Sequence, residues 1–208
     1  MWVVVVAAGA GERFGMQKQY EMLGDRRVLD WALAAARPVA EGVVLVVPPD
    51  RAATHEVADA VVAGADTRAG SVRAGLAAVP DEAEVLVVHD AARPLASVAL
   101  FEAVVDAVRR GADGAVPGVS LADTVKAVDG ATVTETLDRT RLVAVQTPQA
   151  FAAATLRRAH AGNGEGTDDA ALVEAIGGRV VVVPGEEANA KITTQHDLVV
   201  ARALVDGA

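Results

Sequence analysis

The stretch Trp2-Val3-Val4-Val5-Val6-Ala7-Ala8-Gly9-Ala10-Gly11-Glu12-Arg13-Phe14-Gly15-Met16-Gln17-Lys18 decides how this chain is read. An unbroken apolar run from Trp2 to Ala8 suits a strand covered on both faces, as in a mainly parallel sheet. In such sheets ligands bind beyond the carboxyl ends of the strands, which is where the glycine-rich turn falls. Small residues from Ala7 to Gly11 let backbone N–H groups approach a phosphate, and Arg13 and Lys18 supply positive charge. The segment is not a Walker A loop, because no Gly-Lys-Ser/Thr follows at the right interval. It is not a dinucleotide fingerprint either, since Phe14 stands where that pattern has glycine. Alone, the loop is equally compatible with a tight strand-to-helix turn bearing two solvated cations.

Outward from this segment, Val-rich runs at Gly42–Val47, Val85–His89, Gly114–Val119, Leu142–Gln146 and Arg179–Val183 alternate with helical spacing. The spacing predicts helices over Val28–Ala36, Asp50–Ala60, Ser71–Val79, Ser97–Arg110, Ala150–His160, Asp168–Ile176 and Thr194–Val205. Asp50, Ser97, Thr167 and Thr194 are of the types favoured as N-caps, and Gly111 and Gly177 fit the position after a helix end. The pattern is that of a doubly wound α/β fold, Rossmann-like, with a mainly parallel sheet, and residues 1–208 are expected to form one domain without linker or repeat. Residues 121–140 break the alternation. Asp123–Val128 and Ala131–Thr136 flank Asp129-Gly130, a strong hairpin signal. A lone hairpin is marginal, so this arm is expected to pack on something else, either its own domain or a second subunit.

Composition narrows the class. With 52% hydrophobic residues in 208, the chain can bury a large core, yet no apolar run approaches the roughly 18 residues of a membrane span. No basic segment precedes Trp2, so a buried strand is a better reading than a signal sequence. Cysteine is absent, which removes disulfides, a thiolate nucleophile and a Cys-ligated zinc site; the cytoplasm is the expected compartment. A net charge of -9 opposes binding to nucleic acid but not to a small anion, since a local cationic cluster prevails within about one Debye length, roughly 8 Å. Sixteen arginines stand beside only three lysines, Lys18, Lys126 and Lys191, which singles out the sites that use lysine.

His89-Asp90-Ala91-Ala92-Arg93-Pro94 follows directly on the run from Val85. A carboxylate at the end of a buried strand is placed for a substrate hydroxyl or a magnesium ion; capping the next turn and pairing with Arg93 is the plainer role. His89 reads as structural. These six residues, with Ala7-Ala8-Gly9, Arg13 and Lys18-Gln19-Tyr20, resemble the 2-C-methyl-D-erythritol 4-phosphate cytidylyltransferases almost end to end. Further matching pieces are Asp66, Arg68, Ser71-Val72, Gly75-Leu76, Asp123-Thr124, Lys126, Asp138-Arg139, Thr147-Pro148-Gln149, Thr167-Asp168 and Lys191-Ile192-Thr193. Gln17 replaces a proline usual in the family, and Ala65 a glycine.

The resemblance implies CTP and a sugar-alcohol phosphate, 2-C-methyl-D-erythritol 4-phosphate, as substrates, 4-diphosphocytidyl-2-C-methyl-D-erythritol and pyrophosphate as products, Mg²⁺ as cofactor carried mainly on the phosphates with no dedicated protein ligand, and a homodimer joined through the arm. It implies catalytic roles for Arg13, Lys18, Arg139 and Lys191. It assigns nucleotide binding to Ala7, Ala8, Gly9, Gly11, Ala65, Asp66 and Ser71, and acceptor binding to Asp90, Thr124 and Thr167, with Thr124 and Arg139 acting on the neighbouring subunit. Two alternatives stay open: a cytidylyltransferase for another alditol phosphate such as ribitol 5-phosphate, and a non-catalytic nucleotide-binding module on the same fold.

Overall fold

Successive residues of the first Val run point to opposite faces of a sheet, and both faces are covered. In the computed structural model, which describes residues 1–11, 13–53, 56–162 and 164–207, Val3 and Val5 join one apolar cluster and Val4 joins another. The same alternation divides Val43, Leu45 and Val47 from Val44 and Val46, and Val85 and Val87 from Leu86 and Val88. All five residues from Val43 to Val47 are fully or almost fully buried. This is why these strands read as continuous hydrophobic runs rather than as an apolar–polar alternation.

The elements in chain order are β1 (Trp2–Val6), β2 (Met22–Leu23), β3 (Arg26–Arg27), α1 (Val28–Ala36), β4 (Gly42–Val47), β5 (Ala60–Ala63), α2 (Arg68–Ala77), β6 (Val85–Asp90), α3 (Val98–Arg109) and β7 (Gly114–Ser120). There follow β8 (Lys126–Asp129), β9 (Thr132–Thr136), β10 (Val143–Val145), β11 (Gln149–Ala152), α4 (Ala153–His160), α5 (Asp169–Ala175), β12 (Val180–Pro184) and α6 (Gln195–Asp206). The main sheet runs β10-β7-β11-β6-β1-β4-β5, with β12 also on β7. Pairings among β5, β4, β1 and β6, and between β7 and β12, are parallel; β10 and β11 are antiparallel. The chain moves from β1 to β4 and β5, then returns across β1 to β6. The β1–β6 boundary is therefore a topological switch point, where ligand crevices form.

Leu29, Leu33, Phe101 and Val104 of α1 and α3 cover one face, and Val72, Leu76, Leu156 and Val173 of α2, α4 and α5 cover the other. A third cluster of Phe14, Leu23, Val28, Ile192, Leu198 and Ala201 seats α6 on the β2–β3 hairpin. Caps follow side-chain chemistry: Ser97 accepts from the Leu100 amide and Thr194 from that of Asp197. Gly111 and Gly177 both take positive φ.

Several expectations need correction. The helix expected over Asp50–Ala60 is a short 3-10 turn, Pro49–Arg51, and the segment ends by entering β5; Asp50 caps no α-helix, and residues 54 and 55 lie outside the described residues. Pro48 and Pro49 restrict the backbone there, and Val61 and Val62 have the β-branched character that fits them to the sheet edge. The helix expected from Ala150 begins at Ala153, because Gln149–Ala152 forms β11 between β6 and β7. The α5 cap is Asp168, which accepts from the Ala171 amide, rather than Thr167. The arm is a hairpin, β8 with β9, turning at Gly130 with φ 55°, and both strands are almost wholly exposed. Among the described residues, no helix is long and apolar enough to cross a membrane.

Helix α2 approaches the sheet at Gly75, where an added Cβ would stand 2.4 Å from Val4 Cγ1 and 2.9 Å from Val46 Cγ2. Alanine is the better helix former by about 1 kcal/mol, yet Gly75→Ala is expected to destabilise the fold by about 1–3 kcal/mol through overpacking. Thermal unfolding of the two proteins tests this; a raised Tm in the variant would contradict the close approach.

Candidate active site

The loop after β1 is built from the inside. Gln19, buried, donates through Nε2 to the carbonyls of Ala7 at 2.7 Å and Gly9 at 3.2 Å. The Ala7 amide donates to Val46 O, while the amides of Ala8, Gly9, Ala10 and Gly11 have no hydrogen-bond partner among the described residues. Carbonyls are thus drawn inward and four donors are left for a ligand, an arrangement suited to phosphate. Gly11 closes the loop at φ 74°, and a Cβ there would stand 1.9 Å from Met16 O, so only glycine fits. Phe14, which breaks the dinucleotide pattern, is buried in the α6 cluster and anchors the loop's far side.

A cleft of about 300 Å³ opens beyond the ends of β1 and β6. Ala7, Ala8, Gly9, Lys18, Ala65, Asp66, Ser71, Asp90 and Lys191 all line it. Ser71 is buried and spends its hydroxyl on the loop before α2, accepting from Ala65 N at 3.0 Å and lying 3.2 Å from Ala65 O. Its role is to hold that loop rather than to offer a free hydroxyl. Burial lowers the pKa of Lys18, and Lys191 and Arg13 lower it further, so three cations share the space. Arg13 itself is exposed, and neither it nor Gly11 lines the cleft.

A second cleft of about 250 Å³ adjoins the first and shares Arg68, Asp90 and Lys191 with it; Thr167 lines this one. Asp90 is the hinge between them. Burial would raise its pKa, but Arg68 and Lys191 outweigh that and hold the carboxyl well below the usual range. Lys191 Nζ donates to Asp90 Oδ2 at 2.6 Å; on the other side Arg68 Nε donates to Oδ1 at 3.3 Å, with Nη2 3.2 Å from the same oxygen. The Asp90 amide donates to Thr147 Oγ1 at 3.0 Å.

One expectation changes here. Arg93 does not pair with Asp90; its guanidinium reaches the carbonyls of Asn189 at 2.7 Å and Val145 at 3.3 Å, tying the loop before Lys191 to the strand. Arg68 takes the place expected of it. Thr124 and Arg139 stand outside both clefts: Thr124 is exposed, and Arg139 donates to the carbonyls of Leu121 and Ala122 within the arm. Lys126 bonds to Thr136 Oγ1 across the hairpin. Gln19 and Arg68 lie inside quoted motifs but carried no assigned role. Their polarity beside small residues was the available signal; the distant partners were not.

The profile of the family described as IspD, 2-C-methyl-D-erythritol 4-phosphate cytidylyltransferase, matches residues 1–207. The chain belongs to the IspD family. It is similar to the 2-C-methyl-D-erythritol 4-phosphate cytidylyltransferase of Streptomyces coelicolor, with 46% identity over 97% of this chain and 83% of that protein. It is also similar to a bifunctional enzyme IspD/IspF of Clavibacter michiganensis, with 47% identity over 98% of this chain; it spans 54% of that longer relative. Among solved structures, the 2-C-methyl-D-erythritol 4-phosphate cytidylyltransferase from Thermus thermophilus superposes with a TM-score of 0.86 at 36% identity, covering 98% of both chains.

The strand end carries its own pH signature. His89 is fully buried against Phe101, 3.1 Å from both Thr147 Oγ1 and Arg93 O, and burial pushes its pKa down to about 4 from the ordinary 6.5. The unfolded chain therefore binds a proton that the folded chain refuses between those values. This contribution is complete above pH 6.5 and is lost as pH falls toward 4. Urea unfolding from about pH 7 down to about 4.5 should show the decline, and His89→Gln should flatten it; an equal slope in the variant would assign the effect elsewhere.

Proposed function

We propose that this IspD-family chain transfers a cytidylyl group from CTP to 2-C-methyl-D-erythritol 4-phosphate, giving 4-diphosphocytidyl-2-C-methyl-D-erythritol and pyrophosphate. The observation that carries the reading is the pair of adjoining clefts that share Arg68, Asp90 and Lys191, one of them walled by the loop after β1. Two anionic substrates can meet there with cations between them.

The nucleophile is a phosphate oxygen of the acceptor, already ionised near neutral pH, so no general base is needed. It attacks the α-phosphorus of CTP as the bond to the departing pyrophosphate breaks. The chain's contribution is to hold two polyanions in line and to stabilise negative charge as it develops. The free amides of Ala8, Gly9 and Gly11, with Lys18 and Arg13, are assigned to the triphosphate. Ala65, Asp66 and Ser71 form the pyrimidine side, Lys191 holds the incoming phosphate, and Asp90 and Thr167 face the polyol. Among the described residues, no group of three or more His, Asp or Glu side chains is placed to cage a metal, and both Asp90 oxygens are taken by cations. That donor set fits Mg²⁺ held mainly on the triphosphate oxygens, with Asp66 the other carboxylate at the cleft. Such an ion would neutralise charge on the phosphates.

We read residues 1–208 as one domain, with residues 121–140 as a dimerisation arm. Val128 and Val133 are exposed on it at 61% and 56%, and its Thr124 and Arg139 lie outside both clefts. In a homodimer they would serve the neighbour's site.

Purified protein supplied with CTP, Mg²⁺ and each alditol phosphate in turn should release pyrophosphate with the methylerythritol phosphate and far less with ribitol 5-phosphate. Lys18→Ala should lose at least about a hundredfold in turnover with its fold intact. No release with the methylerythritol phosphate would refute the assignment. For the arm, mixing Arg139→Ala chains with Lys18→Ala chains should recover activity that neither has alone. Confirmed heterodimers without recovery would show that the arm does not act across subunits.

A further inference from the structure

Asp169 is completely buried at the start of α5, where two groups converge on it. Arg68 Nη1 donates to Oδ2 at 2.8 Å, and His160 Nε2 lies 3.0 Å from Oδ1. An ionised carboxylate only accepts, so Nε2 carries the proton in that contact. His160 is the last residue of α4, 5% exposed, and its Nδ1 is buried without a hydrogen-bond partner among the described residues. From Asp169 the contacts continue through Arg68 to Asp90 and from Asp90 to Lys191. Side chains from α4, α5, α2, β6 and the loop before α6 thus form one line of polar contacts, alternating in charge from Asp169 to Lys191. Its Arg68, Asp90 and Lys191 face the clefts, and its far end, Asp169 and His160, lines neither.

A buried carboxylate and a buried imidazole are a costly way to fill space, since apolar residues of similar volume usually serve packing as well or better. What an apolar pair could not do is hold Arg68. Burial works against the charge of this guanidinium, and Asp90 and Asp169 together outweigh it. With Asp169 gone, Arg68 would have Asp90 as its remaining carboxylate and would be free to pivot onto it or into the cleft. Either movement displaces Asp90 and changes how much of Lys191's charge Asp90 neutralises.

We propose that Asp169 and His160 are positioning residues for the acceptor side of the site. Asp169 fixes Arg68, His160 fixes Asp169, and the two set affinity for the phosphorylated acceptor without touching it. This rests on the reading above that Asp90 and Lys191 face the acceptor.

Steady-state kinetics with CTP and 2-C-methyl-D-erythritol 4-phosphate test it in Asp169→Asn, His160→Leu and His160→Gln, with Asp90→Asn as the reference. Asp169→Asn should raise KM for the acceptor about tenfold while KM for CTP stays within about twofold. His160→Leu should shift the acceptor KM the same way by roughly threefold, and His160→Gln, whose amide can still donate to Asp169, should restore it. A purely structural role would not divide the two KM values or be rescued by glutamine. The proposal is overturned if acceptor KM is unchanged in Asp169→Asn and His160→Leu, or if both KM values rise in parallel, while Asp90→Asn raises acceptor KM. If Asp90→Asn leaves acceptor KM unchanged, the acceptor-side reading has failed and the proposal falls with it. Should Asp169→Asn not fold, the two His160 variants decide on the same readout.

Discussion

A carboxylate at the buried end of a central strand has to be compensated, and much of the functional half of this molecule is arranged around that requirement at Asp90. Its position is dictated by the parallel register with β1, which pairs Asp90 with Val6 at the point where the glycine-rich loop departs. Isolated, an ion there would be neutralised or expelled. It is retained because Arg68 arrives from the first turn of α2 and Lys191 from the loop before α6, positions 22 and 101 residues away in the chain. Breaking such a pair on one side leaves an uncompensated charge, which makes the arrangement brittle as well as specific.

The same compensation organises chemistry. Lysine and arginine side chains that neutralise Asp90 also border the two clefts, so an anion entering either cleft would compete with Asp90 for charge that is already in place. Lys18, with its pKa lowered by burial and by neighbouring cations, adds to a region whose mutual repulsion an entering phosphate would relieve. Catalysis by positioning needs donors that do not reorganise during the reaction. Gln19 holds the loop after β1 in this way, and Ser71 holds the loop at Ala65.

Legibility in the sequence followed the reach of the interactions. Doubly buried parallel strands announce themselves as Val runs, and Val28–Ala36 and Gly42–Val47 agree with the structure at both ends. Local chemistry was equally readable in the Ser97 and Thr194 caps and the Asp129-Gly130 turn. What could not be read depends on partners far along the chain. Gln149–Ala152 has no strand signature of its own and is a strand because β6 and β7 leave a gap that it fills. Arg68 and Arg93 are equivalent as letters; only the fold decides that Arg68 faces Asp90 while Arg93 binds carbonyls. The cleft-lining residues Ala7, Ala8, Gly9, Lys18, Asp66 and Lys191 came from contiguous motifs and lie together, whereas neither Asp169, although it follows Thr167-Asp168 directly, nor His160 carried a sequence signal of the contacts that link them to Arg68.

Strand β11 runs against its neighbours, and this changes which pole of a helix is brought to that end of the sheet. After a parallel strand the next helix descends, and what it leaves at the ligand edge is an amino end, the positive pole. After β11 the order inverts: α4 starts at the opposite rim and climbs, so its carboxyl end finishes beside Asp169. The last turn of α4 carries Arg157, Arg158 and His160, as the negative pole of a helix favours. Behind the clefts, at the far end of the line of contacts that runs from Asp169 through Arg68, the fold thereby sets a negative helix pole, which belongs to the backbone and is not altered by substituting a side chain.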